Sequence, residues 1–419
     1  MPGARWTGSR CKRKLLWQSA ERTRPGCETF ASPRSHLGSG GQARYTPDVD
    51  AFSLPVVSAA PRALDAESLG LAFRGNARAQ GLFDRYGRSH SYLRISIIEK
   101  CNLRCRYCMP EEGVPLLPKD DLLSFEEIER LAALFVRLGV RKIRITGGEP
   151  LVRRGVDELV ARLGALKKWG LSRLAMTSNA LLLRQHLEAL RGGGLDAVNL
   201  SLDTLRPDRF RAITLRDGCE ETIAAIRAAA AAGFDAVKVN AVVMAGINDD
   251  EIVDLARAFA LNDPIEVRYI EYMPFEGNHW GEQLRMFPAQ AIRARLEEQL
   301  ELSPLGLGET AQLYAVREKD GRAFRGRVGI ISSMTEPFCG TCNRTRLTAD
   351  GHFRWCLLDE GEMDLRAPMR AGASDDELAA LIEDGLRRKK PGHAPAEELV
   401  ATQRAAGASA ARSMIRIGG

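Results

Sequence analysis

The chain has 419 residues, 45% of them hydrophobic and 27% charged, a balance that allows two or three domains with an ample core and excludes a fibrous or low-complexity polymer. Its formal charge of +6 comes from the first 80 residues, which hold 12 Lys and Arg against 6 Asp and Glu; the rest holds 48 of each and is neutral, so a core-wide nucleic-acid face is not supported. No run reaches the roughly 18–20 apolar residues of a membrane span, and the alanine-rich IAAIRAAAAAG is broken by Arg227.

Residues 1–80 carry Gly, Ser, Pro and Arg without sustained periodicity. Such a segment buries too little apolar surface to offset its ordering entropy, so disorder is expected. Its Arg-rich, acid-poor start fits a mitochondrial transit peptide and equally an upstream start assigned on a bacterial gene. Cys11 and Cys27 there have no spacing partner.

From about Gly81 the chain alternates strand and helix. The first strand-like run is Leu93-Arg94-Ile95-Ser96-Ile97-Ile98, β-branched and largely apolar. The loop that follows reads EKCNLRCRYCMP, with Cys101, Cys105 and Cys108 in CxxxCxxC spacing. Three thiolates this close can hold three corners of one [4Fe-4S] cube, which needs four ligands for closure, so one iron stays open. A structural zinc knuckle would close its tetrahedron. With Tyr107 between the last two cysteines, the segment resembles the radical S-adenosylmethionine (SAM) superfamily. The resemblance implies an open iron that chelates SAM and an electron that splits its sulfonium, giving a 5′-deoxyadenosyl radical that abstracts hydrogen from substrate.

Further strand-like runs are KIRIT (142–146), RLAMT (173–177), AVNLSL (197–202), AVKVNAVV (236–243) and IEVRYIEYM (265–273). Helical patterns lie between them, near 155–169, 181–191, 219–232 and 249–260. The clearest is SFEEIERLAALFVRLG, where Ser124 and Glu127 form a capping box and Gly139 suits the stop. Six such units argue for a parallel sheet in right-handed crossovers. The expectation is α/β, a partial (β/α)6 TIM-type barrel over 81–300, with a doubly wound sheet as the alternative. A C-terminal extension over 301–419 would carry a second cluster and bind substrate.

The strand ends carry polar or Gly-rich signals: Thr146-Gly147-Gly148-Glu149-Pro150, Asn199-Leu200-Ser201-Leu202-Asp203 and Glu271-Tyr272-Met273-Pro274. Two glycines allow close backbone approach, although such a pair also suits a plain turn. The radical SAM resemblance implies SAM contacts at Tyr107, Gly148, Ser201 and Met273.

A second triad follows near the C-terminus: Cys339 and Cys342 as CxxC, then Cys356 after thirteen residues. By spacing alone this fits zinc, with His352 completing Cys3His; a radical SAM core upstream favours a second cluster with an open iron. Arg344 and Arg346 alternate, so on an extended segment they share a side beside this metal. Arg94, Lys142, Arg144, Lys238 and Arg268 are further strand-borne cations. Singly, each reads as an edge or rim group; together, in a neutral core, they suggest a polyanionic small molecule. No GxxxxGK[ST] loop occurs, so a nucleotide would not be held in P-loop fashion.

The two triads, the run RSHSYLR (88–94), KIRITGGEP, KVNAVVMAGIND and the terminal Ile417-Gly418-Gly419 resemble the GTP 3′,8-cyclase family from about Phe83 to Gly419. The resemblance implies two [4Fe-4S] clusters, on Cys101, Cys105 and Cys108 and on Cys339, Cys342 and Cys356. It implies GTP contacts at Arg94, Arg144, Thr177, Lys238, Arg344, Thr345 and Arg346, and a Gly-Gly tail threaded beside substrate. It implies removal of the ribose C3′ hydrogen of GTP and closure onto guanine C8, opening molybdenum cofactor biosynthesis. The implied partners are an external electron donor and a downstream cyclic pyranopterin monophosphate synthase, with a homodimer compatible and no nucleic-acid or membrane partner. The implied protein is soluble and intracellular, cytoplasmic if bacterial and in the mitochondrial matrix if eukaryotic.

One departure is TSNA at 177–180 in place of the family's TTNG; Ala180 prefers φ below zero, so a changed turn is expected there. Two other classes fit parts of the pattern. A peptide-modifying radical SAM enzyme would lack the RTR segment and Gly-Gly end, and a metal or electron-transfer module would not need GGEP and NLSLD. Metal triads take six of the nine cysteines, which fits a reducing interior. Cys219 is left as an apolar filler at a helix start.

Overall fold

Alternation along the first strand decides which face meets helices and which meets the cavity. In β1 (Tyr92–Ser96) Leu93 and Ile95 are fully buried in the apolar core, and Tyr92, Arg94 and Ser96 point the other way. The computed structural model describes residues 81–275, 278, 285–406 and 414–418. The expectations for residues 1–80, with Cys11 and Cys27, and for Gly419 lie outside the described residues.

Five more strands follow: β2 (Lys142–Thr146), β3 (Arg173–Ser178), β4 (Ala197–Ser201), β5 (Ala236–Val243) and β6 (Glu266–Glu271). The connecting helices are α1 (Phe125–Arg137), α2 (Val156–Ala165), α3 (Leu183–Gly192), α4 (Pro207–Thr214), α5 (Cys219–Ala231) and α6 (Ile252–Ala260). The α1 capping box forms in full, Ser124 Oγ accepting from Glu127 N and Ser124 N donating to a Glu127 carboxylate oxygen. Helix α4, opened by Pro207 at its first turn, was not expected from the sequence.

Strands β1 to β6 pair in parallel and in sequence order. A doubly wound sheet reverses its strand order at a switch point; here none occurs, which removes that alternative. The C-terminal part then lengthens the same sheet at both edges. After α7 (Ala289–Gln299) come β7 (Leu300–Leu307), β8 (Gln312–Glu318), β9 (Arg327–Ile331), β10 (Arg344–Leu347), β11 (His352–Arg354) and β12 (Glu362–Asp364). Strand β9 joins β6 in parallel and β10 joins β1 in parallel, each followed outward by antiparallel strands. Residue 300, the expected domain boundary, is therefore no boundary of the sheet: both edges of the six-stranded core are satisfied by later strands rather than left open.

The sheet curls. Lys142 at the start of β2 ion-pairs with Glu309 between β7 and β8, although β8 lies six places from β2 in the strand order. Flat strands spaced about 4.8 Å apart could not bring these residues together. No hydrogen-bonded pairing joins β12 to β7, so the barrel is partial.

The turn after β3 keeps its left-handed shape despite lacking glycine. Ala180 adopts φ +68° and is fully buried, at a steric cost of about 1–2 kcal/mol. Hydrogen bonds hold it: Ala180 N donates to Ser178 Oγ at 2.9 Å, and Ser178 Oγ and Asn179 N donate to Glu149 at 2.9 and 2.7 Å. Ala180 thus takes the positive φ that its side chain disfavours. Ala180→Gly should stay within about 1 kcal/mol of the parent, relief of strain offsetting lost chain stiffness and a lost methyl contact. Ala180→Val should cost about 3 kcal/mol, because a β-branched residue tolerates neither the φ nor the packing. Denaturant unfolding of the three apoproteins reads both.

Candidate active site

The chain leaves β1 directly into the first cysteine loop. Cys108 N and Met109 N donate back to Cys105 O at 2.8 and 3.2 Å, and Arg104 caps the Cys101 carbonyl at 2.7 Å. This winding turns all three sulfur-bearing side chains into one cavity of about 300 Å³. Burial, and then for Cys105 the neighbouring thiols, raise its pKa well above the usual thiol range, and Cys101 is pushed up to about 12. Three thiols whose surroundings disfavour the thiolate are chemically suited to an iron cluster, whose positive charge would stabilise the deprotonated sulfurs.

Gly147 and Gly148 lie against this loop. A Cβ on Gly148 would sit 2.5 Å from the carbonyl oxygens of both Glu99 and Lys100, and one on Gly147 would sit 2.7 Å from Ile98 O. Gly148 N and Glu149 N donate to Ile98 O and Lys100 O at 2.7 and 2.9 Å, so the second strand end braces the cysteine loop. Buried Glu149 accepts from the 178–179 turn, and burial still lifts its pKa to about 7. Asn179 donates to Asn102 at 2.7 Å and reaches Cys101 Sγ at 3.8 Å.

Tyr107, Gly148, Ser201 and Met273 all line the cavity, as their strand-end positions imply. Asp203, overlooked as a functional residue, also lines it and accepts from Val242 N at 2.8 Å. Its burial lifts its pKa to about 6, partly offset by the bonds from Val242 N and the Tyr107 hydroxyl. Its signal was the final residue of NLSLD.

Guanidinium groups face the thiols from the strands. In register, Arg346, Arg94 and Arg144 stand side by side on β10, β1 and β2, and all three line the cavity with Arg344, Arg268 and Thr177. Thr177 Oγ1 accepts from Arg144 at 3.3 Å. Tyr92, not singled out from the sequence, shares the face of Arg94. Its hydroxyl accepts from Arg144 Nε, and Lys142 lies 4.5 Å from its ring centroid. Burial alone would raise its pKa; Arg144, Arg94 and Lys142 outweigh that and bring it to about 7.

Two residues expected to contact nucleotide, Thr345 and Lys238, are not among those lining the cavity. Thr345 alternates with Arg344 and Arg346, so its fully buried side chain faces away from the cavity, 3.5 Å from Tyr92 O. Lys238 sits below the cavity lining, 3.6 Å from Glu266, its pKa brought down to about 8 by burial and then by Arg268.

The second triad, Cys339, Cys342 and Cys356, lines the same cavity. Lys389 sits behind it, donating to Arg344 O at 3.1 Å and lying 3.8 Å from Cys342 Sγ. Burial raises the Cys342 pKa, but Arg344 and Lys389 outweigh it and the thiol falls to about 7. His352 does not join the triad: its ring faces Asp350 at 3.2 Å and Glu362 at 3.9 Å, outside the cavity. Among the described residues no group of three or more His, Cys, Asp or Glu is gathered as a single metal ion would require. The Cys3His zinc arrangement is therefore not formed.

Arg88, in the RSHSYLR run, ties this end together. It donates to Cys339 O, Pro391 O and Lys390 O at 2.8, 2.7 and 2.7 Å and pairs with Asp84. The tail also returns to the site. Gly418 O accepts from Arg94 Nε at 3.1 Å, and a Cβ at this φ +72° position would fall 2.6 Å from Thr146 Oγ1.

Both triads and the guanidinium row thus share one cavity. A GTP 3′,8-cyclase, mitochondrial, from Arabidopsis thaliana is 42% identical over 391 residues, covering 92% of this chain and 94% of that protein. The chain belongs to the GTP 3′,8-cyclase family. Residues 95–259 match the radical SAM superfamily and residues 265–395 match Molybdenum Cofactor Synthesis C. Molybdenum cofactor biosynthesis protein 1 of Drosophila melanogaster is 50% identical over 319 residues, 75% of this chain. The chain spans 55% of the length of that protein and 48% of its bovine counterpart. The fold alone is shared with Streptococcus suis SuiB bound to S-adenosylmethionine, at TM-score 0.50 and 15% identity over 73% of this chain and 69% of that one. No helix among the described residues is long and apolar enough to cross a membrane.

Proposed function

We propose that the chain is a radical SAM GTP 3′,8-cyclase, forming 3′,8-cyclo-7,8-dihydroguanosine 5′-triphosphate from GTP in the first step of molybdenum cofactor biosynthesis. The observation that carries this reading is the meeting of two cysteine triads and a row of three guanidiniums in one cavity. In this reading Cys101, Cys105 and Cys108 hold one [4Fe-4S] cluster, and Cys339, Cys342 and Cys356 hold a second. When bound, the first cluster would supply the electron for reductive cleavage of SAM, and with it the means of removing the C3′ hydrogen of GTP.

The chain's own residues orient and exclude. Gly148 leaves room for the methionyl end of SAM, Ser201 offers a hydroxyl, and Met273 and Tyr107 cover its apolar surfaces. Arg94, Arg144, Thr177 and Arg346 give forked donors suited to phosphate oxygens and purine acceptors. Arg344 stands beside the second triad, where its charge favours thiolate and an electron-rich guanine edge. Gly418, next to the end of the chain and without a side chain, accepts from Arg94 Nε. Lys238 acts through charge from beneath, and Thr345 serves β10 packing.

An external electron donor and a downstream cyclic pyranopterin monophosphate synthase complete this proposal, in the cytoplasm of a bacterium or the mitochondrial matrix of a eukaryote. A homodimer is compatible with it. The test is anaerobic reconstitution with iron and sulfide, followed by dithionite, SAM and GTP. 5′-Deoxyadenosine and cyclised nucleotide should form together in near-equal amounts. Cleavage of SAM with no cyclised nucleotide, while a peptide substrate is modified instead, would overturn the assignment.

A further inference from the structure

The cationic end of the cavity already holds an anion of the protein's own. Glu309 and Thr310 form the two-residue tip between β7 and β8, closed by Gly308 N donating to Ala311 O at 2.8 Å, and both line the cavity. The Glu309 carboxylate ion-pairs with Lys142, whose ammonium also lies over the Tyr92 ring. The charges of Lys238 and Arg144 act on it as well, and although burial works against ionisation, its pKa is held down at about 2.

Glu309 differs from the other carboxylate at this end. Glu266 sits within β6 and is committed to Arg268, Arg327 and Lys238. Glu309 is carried by a hairpin tip, its side chain 37% exposed, so a small movement of the tip removes it without disturbing a strand. A carboxylate and a terminal phosphate make the same charge-assisted bonds to an ammonium, so the two compete for Lys142.

We infer that Glu309 is a tethered competitor for the terminal phosphate of the substrate: it neutralises Lys142 in the empty site and must swing away when a triphosphate enters. This rests on the proposed nucleoside triphosphate reading, and it locates the terminal phosphate beside Lys142, which stands two residues before Arg144 on β2 and shares its face. The tip then works as a charge-matched lid on that end. A ligand too short to reach Lys142 leaves the ion pair intact and gains nothing from its removal.

The experiment is calorimetric titration of reconstituted protein, without SAM or divalent cations, with GTP, GDP and inorganic tripolyphosphate, comparing the parent with Glu309→Gln. The variant is isosteric and lies at an exposed tip, and equal iron content and circular dichroism establish that it is folded. GTP and tripolyphosphate should bind at least about tenfold more tightly to Glu309→Gln, and GDP should change by less than about threefold. Weaker triphosphate binding would overturn the inference, since Glu309 would then assist the ligand. Equal tightening of GDP would overturn it too, since the effect would be a general field. If the parent binds GTP no better than bare tripolyphosphate, the GTP reading fails, while the tripolyphosphate comparison still decides the role of Glu309.

Discussion

Cys105→Ser should lower dithionite-driven 5′-deoxyadenosine formation by about a thousandfold or more, a loss of about 4 kcal/mol or more in barrier terms. Cys105 is the middle cysteine of the loop, and its carbonyl also organises the turn through Cys108 N and Met109 N. Serine preserves that backbone and removes only the soft sulfur donor that an iron cluster requires. Iron content should fall by about half, the second triad being untouched. Liquid chromatography of anaerobic SAM incubations, with iron analysis of the same samples, reads both quantities. Retained 5′-deoxyadenosine would refute the role assigned to the first triad.

Cys342→Ser should separate the two halves of the chemistry. SAM cleavage without substrate should remain within about twofold of the parent, while cyclised nucleotide should fall by about a hundredfold or more. The reason lies in what surrounds Cys342. Arg344 and Lys389 favour its thiolate form, and without that sulfur they face an incomplete ligand set and a purine with no metal beside it. Product analysis on reconstituted protein, together with electron paramagnetic resonance of the reduced clusters, distinguishes the outcomes. The second cluster signal should vanish while the first persists. Unchanged cyclisation with only zinc lost would restore a structural zinc at the second triad.

Much of this site was legible because its signals are local. CxxxCxxC and CxxC are short-range spacings that thiolate chemistry restricts strongly, and the capping box at Ser124 and Glu127 forms through bonds three residues apart. Period-two alternation likewise put Arg344 with Arg346 on a shared face. The same rule, applied strictly, turns the Thr345 side chain away from the face of Arg344 and Arg346.

What failed to show in the sequence depends on distant pairing. Ala180 keeps a left-handed turn because Ser178 and Asn179 are tied to Glu149, some 30 residues earlier; an isolated Ala would avoid that φ. His352 has the right spacing for a zinc ligand, yet the β11 strand commits it to Asp350 and Glu362. Glu309 had no motif at all. Its place opposite Lys142 exists only because a hairpin at one edge of the sheet reaches a strand six places away.

The sequence by itself determined the chemistry that could occur: two thiol triads, glycine-rich strand ends and alternating cations, each specified by neighbours a few residues apart. Tertiary structure alone decided that these parts face one cavity. Strands β9 and β10 had to cap opposite edges of the same parallel sheet, and the sheet had to curl, before Cys342 could look across at Cys105 and Glu309 could reach Lys142. Backbone pairing between distant segments is what supplies that proximity, and it leaves no signature in local spacing.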